Sequence, residues 1–117
     1  MCYASPVQRF SLALILAATA GLAACQRPTG EQCEQLCWRY NELGFWEHFK
    51  AESTDLAPAA RDKLRAERQK EWAEIKARKF DPGLENCMRD CRRGGSPDDV
   101  TCVERARSLA EAKDCLD

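Results

Sequence analysis

The apolar positions change their spacing along the chain, and each spacing predicts a different element. Residues 10–21 form a nearly unbroken apolar run. Beyond it the spacing becomes helical. At 100° per residue Cys33, Leu36, Cys37, Tyr40 and Leu43 share one face, and Trp38, Phe45 and Phe49 fall roughly opposite. A helix apolar on two faces is buried on two sides. This predicts a central first helix, its cysteine side against the third helix and its aromatic side against the second or fourth. Thr29 is placed to cap it, with Gln32 completing a capping box, and it runs from Gly30 or Glu31 to Lys50.

The polar stretch Glu52-Ser53-Thr54-Asp55 breaks the pattern, and a second helix follows from about Leu56 to Lys79, with Pro58 tolerated in its first turn. Its apolar stripe is narrow: Ala57, Ala60, Leu64 and Ile75, with Trp72 at the edge and Arg68 and Glu71 interrupting. The rest is charged, which predicts the least buried of the long elements. Glu74 and Arg78 have the favourable four-residue spacing of a helical ion pair. Phe80-Asp81-Pro82-Gly83 ends this helix. Asp81 then caps a short third helix with Pro82 at its first position, and Gly94-Gly95 predicts a left-handed stop. Ser96-Pro97-Asp98-Asp99 starts a fourth segment. Ser108 with Glu111 is a second capping signal that divides it. The fold expected is all-α: a small disulfide-stapled bundle or hairpin of three to five helices.

Composition sharpens this picture once the chain is divided. The whole has 117 residues, 44% hydrophobic and 32% charged, with a formal net charge of −1. That balance gives no reason to expect nucleic acid as a partner. The first 24 residues hold one charge, Arg9, and the other 36 charged residues lie in the remaining 93. In that soluble body the only β-branched apolar residues are Ile75, Val100 and Val103. Strands favour such residues, so their scarcity argues against a sheet.

The apolar run at 10–21 is shorter than the roughly 20 residues a membrane span requires and has the length of a signal-peptide core, preceded by Arg9. It leads into Leu22-Ala23-Ala24-Cys25. This tetrapeptide resembles the lipobox of bacterial lipoproteins. The resemblance implies lipid on the Cys25 sulfur, cleavage before Cys25 and acylation of its new amino group. Several acyl chains together anchor a protein stably. The expected organisation is a signal peptide at 1–24, a lipidated tether at 25–30 and a helical domain at 31–117. Gln26 stands where enteric bacteria use Asp to retain a lipoprotein in the inner membrane, so the resemblance implies the outer membrane. Cys2 leaves with the signal.

Six further cysteines remain: Cys33, Cys37, Cys87, Cys91, Cys102 and Cys115. The count is even and export places them in an oxidising compartment, which predicts disulfides. Cys33-x3-Cys37 and Cys87-x3-Cys91 each set two sulfurs one turn apart on a helix face. Bridges between the two helices suit that geometry better than bridges within a pair. Parallel helices would pair Cys33 with Cys87 and Cys37 with Cys91; antiparallel helices would pair Cys33 with Cys91 and Cys37 with Cys87. Spacing does not choose between them. Cys102 and Cys115 are left as a local pair, which requires a turn near Ser108. The arrangement is similar to the twin Cys-x3-Cys helical hairpins of small mitochondrial intermembrane-space chaperones, although 49 residues separate the motifs here. The likeness is architectural and carries no function.

No Gly-rich phosphate loop, nucleophile elbow or Cys-x-x-Cys redox motif is present in the sequence. His48, the only histidine, lies four residues from Glu52 near the end of the first helix, where a cation suits the helix dipole. No catalytic residue, cofactor or metal is expected. The leading function class is a lipid-anchored envelope module, held to the membrane through Cys25 and acting on an envelope protein partner. An alternative is an envelope ligand- or metal-binding protein using the first-helix aromatics or the thiols, and a third is a thiol oxidoreductase.

Overall fold

A computed structural model of the chain describes residues 26–78 and 81–117. The expected signal at 1–24, the lipidation residue Cys25, and Lys79 and Phe80 lie outside the described residues. Among the described residues the fold is all-α, with no strand and five helices: α1 (Gly30–Ser53), α2 (Pro58–Ala77), α3 (Pro82–Gly94), α4 (Pro97–Arg105) and α5 (Leu109–Leu116).

Helix starts follow local chemistry. Thr29 Oγ1 accepts the Gln32 N–H at 3.1 Å while the Gln32 side chain accepts the Thr29 N–H at 2.9 Å, a complete capping box. Asp81 accepts the Leu84 N–H, with Pro82 at the first helical position. Ser96 and Asp99 form a second box. Ser108 accepts the Glu111 N–H, but the Glu111 carboxylate takes the N–H of Arg107 instead of Ser108, so that box is open. Only α2 starts without a side-chain cap, behind Ala57.

Helix ends depart further from expectation. α1 continues past Lys50 to Ser53. The hydroxyls of Ser53 and Thr54 donate to the Lys50 carbonyl at 3.3 and 2.8 Å, and Arg61 Nε donates to the Ser53 carbonyl at 3.3 Å. The polar residues that were to break the helix therefore satisfy its last carbonyls. The Gly94-Gly95 stop is not left-handed: Gly95 is extended, with φ −77° and ψ 166°. Its glycine answers a steric need instead. The Gly95 N–H donates to the Cys91 carbonyl at 2.8 Å, and a Cβ on Gly95 would sit 2.6 Å from that oxygen. Gly95→Ala is accordingly expected to lower stability by about 1–3 kcal/mol. Gly94→Ala, where an added Cβ meets nothing within 4 Å, is expected to be neutral or mildly stabilising. Paired thermal melts check both.

α1 is the axis. Among the described residues it packs against all four other helices, while α2 packs against α1 alone. α3 runs antiparallel to α1, because Cys33 faces Cys91 and Cys37 faces Cys87. α2 is antiparallel to α1 as well, with Arg65 over Phe49 and Trp72 beside Phe45 and Trp38. So α2 and α3 run the same way on opposite faces of α1. The core holds Cys33, Leu36, Cys37 and Leu43 of α1, Cys91 of α3, and Val100, Val103, Ala106 and Ala112 from the C-terminal segment. α2 contributes no buried residue. Sulfur thus replaces much of the aliphatic bulk that a body this charged lacks.

Candidate functional site

All six body cysteines are joined. Cys33–Cys91, Cys37–Cys87 and Cys102–Cys115 have Cα–Cα distances of 5.7, 5.9 and 5.8 Å, within the range a disulfide spans. The first two form adjacent rungs between α1 and α3, and the third crosses the turn between α4 and α5. The antiparallel alternative is the one realised. With their sulfurs bonded to each other, these cysteines present no free thiolate as a metal ligand. Among the described residues no group of three or more His, Cys, Asp and Glu side chains is placed to hold a metal ion.

The second face of α1 carries an aromatic seam. Trp38 meets Trp72 edge-on at 5.9 Å between ring centroids, Phe45 lies 5.1 Å from Trp72, and Phe49 lies 5.7 Å from Trp46. Arg65 stands 5.4 Å over the Phe49 ring, a geometry suited to cation–π attraction. Phe49 is buried; the other four rings remain half-buried. Two tryptophans of this seam line a groove of about 460 Å³ between α1 and α2, together with Glu31, Glu34, Gln35, Arg39, Glu42 and Lys76.

Charge closes the far end of the same seam. Arg68 donates to Glu52 of α1 from Nε and Nη2 at 3.2 and 3.1 Å, and to Glu71 from Nη1 at 2.6 Å. Hydrogen bonding, first by Glu71 and then by Glu52, holds the Arg68 guanidinium above its ordinary pKa. His48 adds a contact to Glu52 at 3.3 Å. Its side chain is 75% exposed, which suits a surface partner at a helix end.

The stripe of α2 is therefore shifted from the one the apolar residues draw. Arg61, Leu64, Arg68, Trp72 and Ile75 are half-buried, whereas Ala57 and Ala60 are exposed. Arginine stems can cover apolar surface while their heads reach polar partners, so the two interruptions at 68 and 71 are the ionic link itself. The expected Glu74–Arg78 pair is not formed. Arg78 has left the helix, with ψ 134°, and its side chain no longer follows the helical spacing. Sequence reasoning also passed over Trp46 and Arg39. Arg39 Nη2 donates to the Ala106 carbonyl at 2.8 Å, and Nη1 to Glu42 at 2.9 Å. It ties α1 to the end of α4, and its Nε is buried with no hydrogen-bond partner among the described residues. A residue beside the aromatic face, lying between two packed faces, was the available signal.

Comparison with family models, curated proteins and solved structures finds no match to this chain, so its function is argued from its own residues and geometry.

Proposed function

We propose that the protein is a lipid-anchored component of a bacterial cell envelope, and that its stapled helical body acts through protein contacts and not through catalysis. The observation that carries this reading is Leu22-Ala23-Ala24-Cys25 directly behind an apolar signal-length run. Two features support it. A bridge set that uses every body cysteine suits an oxidising compartment. The tether Gln26–Thr29 is short, since Gly30 already begins α1, so an anchor on Cys25 would hold the body close to the bilayer. Gln26 favours the outer membrane over the inner. The partner-facing surface under this proposal is the α1–α2 side, where half-buried aromatics leave apolar area in reach of another protein.

Cys25→Ser is the direct test. Wild-type protein is expected at a mass lacking residues 1–24 and carrying added acyl chains, in the membrane fraction. The serine variant should lose the lipid and either leave the membrane fraction or accumulate with its signal uncleaved. Wild-type protein without lipid, or a serine variant that stays processed and membrane-bound, overturns the proposal.

The groove beside Trp38 and Trp72 favours a second reading, a ligand-binding envelope protein that uses the same aromatic side. Loss of partner crosslinking in a Trp38→Ala variant would support the first reading. A small ligand retained through purification by the wild type and absent from that variant would support the second.

A further inference from the structure

The three bridges differ in their surroundings. Cys33 and Cys37 are fully buried, Cys91 nearly so and Cys87 half-buried, and both rungs lie where α1 and α3 pack. Cys102 is exposed and Cys115 half-buried. Both line an open surface groove of about 620 Å³, with Arg105 and the carboxylates of Asp98, Glu111 and Asp114 in its walls. The helix that this third bridge holds is short. α5 has eight residues, too few to be stable alone in water. Its first half is attached by buried Ala112, by the Leu109 side chain 3.8 Å from where a Cβ of Gly44 would lie, and by the Leu109 N–H donating to Glu47 at 3.0 Å. The half that carries Cys115 ends on Leu116, 47% exposed at the edge of a groove it shares with Leu36 and Cys91.

We propose that Cys102–Cys115 is a redox-sensitive latch: an exchange site for a dithiol reductant, opening ahead of the two rungs and freeing the C-terminal turn of α5 from α4. The chemistry balances as ordinary exchange. A thiolate of the reductant attacks the Cys102 sulfur, the S–S bond breaks, and Cys115 leaves as a thiolate that takes a proton from water. The reductant's second thiolate then attacks its own sulfur in the mixed disulfide, and Cys102 leaves and is protonated in turn. The bridge has gained two electrons and two protons, and the dithiol has become a disulfide. The rungs are less open to attack: Cys33 and Cys37 are fully buried between α1 and α3, so a thiolate can approach either rung only at its Cys87 or Cys91 edge. Nothing in the latch requires lipid on Cys25, so it is tested separately from the anchor.

The oxidised protein, without denaturant, is treated with graded dithiothreitol, trapped with iodoacetamide and peptide-mapped. Cys102 and Cys115 are expected to become alkylated about tenfold or more faster than Cys33, Cys37, Cys87 and Cys91. Hydrogen exchange after this selective opening should rise about tenfold in α5 and stay unchanged in α1 and α3. A Cys102→Ser/Cys115→Ser variant should show the same exchange pattern without any reductant. Opening of either rung at an equal or greater rate overturns the proposal, as does α5 protection that survives loss of the bridge.

Discussion

A variant with Cys33, Cys37, Cys87 and Cys91 all replaced by alanine is expected to lose its cooperative thermal transition, while variants lacking a single rung keep theirs. The rungs are nested, with sequence separations of 58 and 50 residues. Closing a loop of that length restricts the unfolded chain by about 4 kcal/mol. Once one rung is closed, the other closes only the two short segments between them and adds about 3 kcal/mol or less. Loss of both therefore approaches the roughly 5–15 kcal/mol that a whole domain has to spare. Calorimetry under non-reducing conditions checks the series. A four-alanine variant that melts cooperatively within a few degrees of wild type would refute it. Nesting also alters the comparison with the local bridge, whose separation is 13. Loop length alone favours the long bridges by about 1 kcal/mol, but each rung shields the other from that loss. Cys37→Ser should still cost more than Cys102→Ser, for a different reason: Cys37 is fully buried, and a serine hydroxyl stranded there costs about 1–3 kcal/mol.

Trp72→Ala is expected to release α2 while leaving the stapled core folded. Among the described helices α2 touches only α1; it has no buried residue and meets α1 through Trp72 against Trp38 and Phe45. Truncating a half-buried tryptophan removes about 2–3 kcal/mol, somewhat less than a fully buried one. Amide exchange across α2 should then accelerate roughly 30- to 150-fold, with α1 and α3 near Cys33 and Cys91 unchanged. A uniform acceleration over α1, α2 and α3 would show instead that α2 belongs to the global cooperative unit.

The parts of this fold legible in the sequence are those governed by local chemistry. Thr29, Asp81, Ser96 and Ser108 act on N–H groups within three residues, so their caps follow from the chain alone. The two-faced α1 was legible for the same reason: helical period is a local property. What depended on chain direction was not. The pairing of Cys33 with Cys91 requires knowing that α3 runs antiparallel to α1, and no spacing encodes that. The lining of α2 was misread because charge was taken to mean solvent. Arg61 and Arg68 turn inward only because the Ser53 carbonyl and Glu52 carboxylate of another element wait for them. Gly95 was identified as a stop, but its neighbour, the Cys91 carbonyl, supplied the reason.

The two rungs also set a problem of timing. A chain that crosses a membrane N-terminus first delivers Cys33 and Cys37 into an oxidising space while their partners, 58 and 50 residues behind, have yet to arrive. Until then the nearest sulfur to each is the other, four residues away. In the unfolded segment nothing prevents that adjacent pair from closing on itself. The native ladder is then reached only by exchange, as Cys87 and Cys91 emerge and displace the early product. For a chain exported as proposed, maturation then depends on thiol–disulfide exchange as much as on the packing of its helices.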